Sequence, residues 1–157
     1  MRRFRLMPLH GYSTDRHPPT VADHLLAHPF ELGFAAWGVI AGGAGVLSAF
    51  SNATVSASID RLPDWLAAIV GVMLVIGGLA VWRGLLDDSE DLMVGWRFER
   101  VGLVLSMAGW GGYGFTVAAM NPGAVLSWSV APLVVAMFAV RYRATRIEER
   151  RIRKAIR

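Results

Sequence analysis

Four long apolar runs, Phe30–Phe50, Pro63–Trp82, Val101–Met120 and Gly123–Val140, leave this chain little freedom in how it can fold. Each is close to the roughly 20 residues needed to cross a hydrocarbon core of about 30 Å. Charged residues are confined to their ends, Glu31 in the first and Asp64 in the second, with Arg83 just beyond the second. A segment surrounded by lipid must satisfy its own backbone N–H and C=O groups, so such a run is a helix. The second run carries nine strongly inserting residues (Leu66, Ile69, Val70, Val72, Leu74, Val75, Ile76, Leu79 and Val81). At about −0.3 to −0.6 kcal/mol each they supply a few kcal/mol, partly offset by glycines. The predicted fold class is all-α: an integral membrane four-helix bundle over residues 30–140, between an N-terminal tail 1–29 and a basic C-terminal tail 141–157. The pieces outside the runs are too short to build a soluble domain with its own core.

The charges orient the bundle. Arg2, Arg3, Arg5 and Arg16 precede the first run; Arg83, Arg97 and Arg100 lie between the second and third. Arg141, Arg143, Arg146, Arg150, Arg151, Arg153, Lys154 and Arg157 follow the fourth. If all four runs span, these segments share one side and hold every basic residue except Arg61. The positive-inside rule then places both termini in the cytoplasm of a multi-pass protein of the cytoplasmic (inner) membrane. Fifteen of the sixteen basic residues are arginine, a bias typical of GC-rich genomes and a hint of an actinobacterial source.

Aromatic residues mark the same boundaries. Trp65 and Trp128 fall near the outer interface, and Trp82, Trp96 and Tyr142 near the inner one, where amphipathic rings favour the headgroup level. Trp37 and Trp110 fall deeper and are expected to pack between helices. Trp65, Trp82, Trp96, Arg100, Arg141 and Arg143 are the expected lipid-anchoring set, the arginines snorkelling to phosphate and anionic headgroups. No cleavable leader is expected, because the first apolar run starts behind a tail holding Pro8, Pro18, Pro19 and Pro29, and it follows Arg2-Arg3 too late for a twin-arginine signal. Asn52-Ala53-Thr54 fits a glycosylation acceptor that matters only in a eukaryotic secretory pathway.

Helices in lipid associate through small residues that let backbones approach. Gly38 and Gly42 form a GxxxG; Ala41, Gly45 and Ala49 repeat that spacing one residue round. Gly71, Gly77 and Gly78 serve the second helix, Gly102, Ser106 and the Gly109–Gly114 cluster the third. Ser127 and Ala131 serve the fourth, ahead of Pro132, which is expected to kink it. The expected helix-packing residues are Gly38, Gly42, Gly45, Gly102 and Ser106. They join four helices into one bundle, or, with one track facing outward, drive homo-oligomerisation.

Little chemistry is on offer. With no cysteine, thiolate catalysis, disulfides and cysteine metal sites are excluded. No charge sits mid-helix, which argues against an ion-coupled transporter. His24 and His28 are four apart with Asp23 nearby, a spacing that suits a metal, but two ligands do not close a tetrahedral shell. Thr20 and Asp23 read instead as a cap pair for a short interfacial helix, Val21 to His28. Asp87-Asp88-Ser89-Glu90-Asp91 lacks the spacing of a calcium loop and reads as a solvated acidic turn. Glu99 is placed for the positive end of the third helix and, drawn inward, is the best candidate for a functional acid. The tail reads as a basic helix supported by Glu148–Arg151 and Glu149–Arg153 pairs. No fold or aromatic interleaving directs that tail to nucleic acid. No catalytic residue, cofactor or metal is expected, and the chain is not read as an enzyme.

Certain short stretches resemble a known type. These are His24-Leu25-Leu26-Ala27-His28-Pro29-Phe30, Arg61-Leu62-Pro63-Asp64-Trp65-Leu66, Gly77-Gly78, and Glu99-Arg100-Val101-Gly102-Leu103 with Tyr113. Over roughly residues 20–145 the chain resembles the small four-helix membrane proteins encoded by bacteriophages of actinobacteria, some proposed as holins. The resemblance implies a holin-like protein that permeabilises the membrane during host lysis, and it transfers no site residue. The alternative expectation is a structural or interaction subunit docking a cytoplasmic partner through its loop or tail.

Overall fold

Helix starts follow local chemistry. Pro29 occupies the first turn of α1 (Pro29–Phe50), where its missing N–H has no partner to lose. Asp64 opens α2 (Asp64–Leu85) and Arg83 lies in its last turn, both matched to the helix dipole. α3 runs Leu92–Met120 and α4 Val125–Ile156. The computed structural model describes residues 28–51, 63–86 and 92–156. The predicted interfacial helix, Arg61, the glycosylation triplet and the acidic turn lie outside these residues.

All four helices are long and apolar enough to span a membrane. Their bounds differ from the apolar runs at one end. α3 starts nine residues before Val101, so Glu99 sits two turns inside a helix and not at its positive end. α4 continues without a break from the apolar run through the basic tail. Hydropathy marks where a helix leaves lipid; Arg, Ala and Glu let it go on past that point. α4 also passes Pro132 without interruption.

The helices alternate in direction and pack in chain order, α1 on α2, α2 on α3 and α3 on α4, while α1 and α4 make no substantial contact. The bundle is therefore open along one side. Its ends differ: a turn end, where Ala124 N–H donates to Asn121 O at 3.0 Å across Pro122-Gly123, and a basic end carrying Arg83, Arg97, Arg100 and Arg141.

Glycine sets the first two seams. A Cβ on Gly42 would stand 2.5 Å from Gly71 O, and one on Gly71 2.6 Å from Gly42 O. Gly77 and Gly102 do the same between α2 and α3, a Cβ on Gly77 falling 2.7 Å from the Ser106 backbone nitrogen and one on Gly102 2.7 Å from Gly77 O. In both seams the main chains touch. Around them pack Leu32, Ala35, Val70, Leu74, Val81, Leu103, Trp110, Val134 and Phe138.

Candidate functional site

The buried side of α3 alternates in steps of four and three, through Glu99, Leu103, Ser106, Trp110, Tyr113 and Val117. That buried line serves both neighbours of α3: Ser106 meets Gly77 of α2, and beside the line Gly111 and Gly114 meet Val135 and Ala131 of α4. α4 answers with Ala131, Val134, Phe138, Tyr142, Thr145 and Glu149. Four of these residues, Glu99, Ser106, Thr145 and Glu149, are buried and polar. Three of the four cluster at the basic end, with Glu99 only 2% exposed.

Cross-helix ion pairs hold this end. Arg141 Nε donates to Glu99 Oε1 at 2.6 Å, and Arg100 donates to Glu149 through one guanidinium nitrogen. Side chains lean toward the N-terminus of their own helix. Because α3 and α4 run oppositely, Arg100 and Glu149 lean toward one another, whereas Arg141, deeper along α4, reaches back against that lean to Glu99. Arg100 Nε also donates to Trp96 O at 3.2 Å. A buried carboxylate without a cation costs several kcal/mol; the Arg141 guanidinium offsets that. Glu99 is thus drawn inward, as the sequence reading allowed, but its partner came from another helix. Glu149 likewise reaches across to Arg100; the side chain of Arg153, its expected partner, lies outside the described residues.

Away from α3, α4 presents Arg143, Arg146, Arg150 and Lys154, all exposed and spaced three and four apart. Arg146 lies 5.6 Å from the centre of the Tyr142 ring and donates to its hydroxyl at 3.3 Å. Beside this row a shallow hollow is lined by Arg97, Arg100, Val101, Val104 and Tyr142, cations above and apolar side chains below. Arg83 stacks over Phe98 at 5.9 Å.

The remaining sequence-derived residues are placed as follows. Gly38, Gly42 and Gly45 are buried on the α2 side of α1, and Gly102 and Ser106 on the α2 side of α3. Trp65 is exposed. Trp82 donates to Leu32 O at 3.1 Å, and Trp96 is half-buried. Arg100 and Arg141 each have a carboxylate inside the protein, a pairing that their reading as lipid anchors had not included. Trp110 packs inside, 4% exposed, whereas Trp37 is 57% exposed on the open side and is not the packing residue expected. Pairings between helices were missed because spacing arguments compare residues of one helix. The four-and-three alternation from Glu99 to Val117 was the available signal. Compared with known proteins, the chain matches no protein family, no curated protein and no solved structure.

Proposed function

We propose that this is a non-enzymatic interaction subunit of the cytoplasmic membrane, inserted with its basic end in the cytoplasm, where it presents a rigid cationic helix to an acidic partner. The observation that carries this reading is the continuity of α4, which leaves the apolar zone at Val140 and runs on as helix to Ile156. At 1.5 Å per residue, Arg150 and Lys154 stand about 15–21 Å beyond Val140. The headgroup layer accounts for only about 5–8 Å of that distance. A tail lying flat would bring every cation to lipid; a tail braced by Glu99–Arg141 and Arg100–Glu149 holds the distal ones clear of it. Arg97 and Arg100, at the hollow on α3, are the cations placed for anionic headgroups.

The holin-like reading draws on outward small-residue tracks for assembly. Gly38, Gly42, Gly102 and Ser106 are engaged in seams within one molecule, which leaves that reading the second track, of which Ala41 and Gly45 border the open side. A phage source and an actinobacterial host rest on composition and short resemblances alone, and the proposal does not use them.

The test joins membrane potential to cross-linking after induced expression in a bacterial host. A photo-cross-linker at Arg150 should capture an acidic protein, capture should fall with salt, and it should vanish when Arg143, Arg146 and Lys154 are changed to Glu. The membrane potential should hold throughout. Abrupt depolarisation on expression would overturn the proposal in favour of a permeabiliser.

A further inference from the structure

On the open side, between α1 and α4 in the half nearer the turn end, lies a cleft of about 420 Å³ whose lining comes from all four helices. Small residues hollow it out: Ala41, Ala44 and Gly45 on α1, Ala67 and Gly71 on α2. Its lip is made by exposed Trp37 and Leu126. Trp110 closes it toward the basic end by reaching past α2 to α1. The indole nitrogen lies 3.7 Å from where a Cβ on Gly38 would stand. That N–H is, among the described residues, the buried side-chain polar atom left without a hydrogen-bond partner. Polar atoms are otherwise sparse, with Tyr113 at depth and Ser127 near the mouth.

We propose that this cleft holds one acyl chain of a phospholipid from the leaflet at the turn end. The proposal rests on the membrane reading of the four helices. In a bilayer the medium outside the lip is hydrocarbon, and a concave apolar wall facing it gains contacts only if a chain enters. The dimensions select a chain over a helix. From Met120, at the turn end of α3, to Trp110 is about 15 Å of helix rise, half of a hydrocarbon core of about 30 Å and so the depth of one leaflet. A transmembrane helix of a second copy needs a groove along its whole span and a width of about 10 Å. This cleft covers Trp37 to Gly45 on α1 and Leu126 to Val130 on α4, and Trp110 blocks its continuation. An acyl chain entering at the level of Ser127 ends against the Trp110 ring.

Bromine on a lipid chain quenches indole emission only near contact, so Trp110 reports directly on occupancy. The full chain, with every other tryptophan replaced by phenylalanine, is reconstituted in vesicles of phosphatidylcholine carrying mid-chain bromine or none. Trp110 should lose most of its emission in the brominated vesicles despite its burial. Ala44→Phe and Ser127→Phe, filling the cleft from opposite walls, should each restore it. A tryptophan-free chain carrying Ile76→Trp, exposed on α2 at similar depth, should be quenched in every case. If that control is quenched and Trp110 is not, the cleft takes no lipid chain and the proposal falls. Equal quenching of Trp110 with and without the filling substitutions means bromine acts from outside, which also overturns it. An unquenched control would instead remove the membrane reading on which the proposal rests.

Discussion

Two kinds of seam hold this molecule, and they fail differently. Between α1, α2 and α3 the main chains meet at Gly42–Gly71 and Gly77–Gly102, with no side chain between them to yield. Between α3 and α4 a glycine contact, Gly114 against Ala131, lies only toward the turn end; the rest is made by side chains, Val134 and Phe138 in the apolar zone and ion pairs at the basic end. The glycine seams are specified by what is missing, so any added atom is an error. The α3–α4 seam is specified by matched partners, so a change on one side can be repaired on the other.

The largest effect should come from a branched side chain in a glycine seam. Gly102→Leu puts a Cβ about where the Gly77 carbonyl and the Val81 main chain already stand, forcing α2 and α3 apart. A loss of about 3 kcal/mol or more is expected, read as a fall in thermal midpoint in detergent, or as loss of folded protein. Next is Arg141→Met, which strands Glu99 at 2% exposure. It should cost about 2–3 kcal/mol, since the carboxylate can escape part of the penalty by taking up a proton. The repair sharpens the contrast: Glu99→Met added to Arg141→Met should return stability to within about 1 kcal/mol of the natural chain. No second substitution should rescue Gly102→Leu in that way. Smaller still is Glu149→Ala, whose partner Arg100 is partly exposed; about 1 kcal/mol is expected, and high salt should mask it. The smallest change has the opposite sign. Gly43 faces open space inside α1, so Gly43→Ala should stabilise by about 0.5 kcal/mol through helix propensity.

The helices were legible in the sequence because lipid would impose one rule on every residue, and Leu32–Phe50 or Val101–Met120 obey it without exception. The start of α3 was not, because the apolar turn Leu92–Trp96 is cut off from its run by Arg97, Glu99 and Arg100; the tail was legible as a basic helix, but its continuity with the fourth run was not. The glycine tracks were visible, but a GxxxG reads alike whether it faces a neighbour in the same chain or another molecule. Their inward direction appears only once Gly42 stands opposite Gly71. Glu99 could be singled out from its position, yet Arg141 as its partner needed the α3–α4 register. The cleft had no sequence signal, since it arises from two helices, distant in the chain, that fail to meet.

One consequence of α4 being a single helix is mechanical. The shaft that carries Lys154 at one end forms a wall of the cleft at the other, with Leu126 about 42 Å away along the same axis. α1, α2 and α3 are locked backbone to backbone and share little freedom to slide, so a torque applied to the cationic row is borne mainly by α4. Along that shaft the softest joint is Pro132, which has no N–H to return to the Trp128 carbonyl and so lowers the cost of bending there. A pull on the basic end is therefore felt, one turn beyond the joint, at the mouth of the cleft.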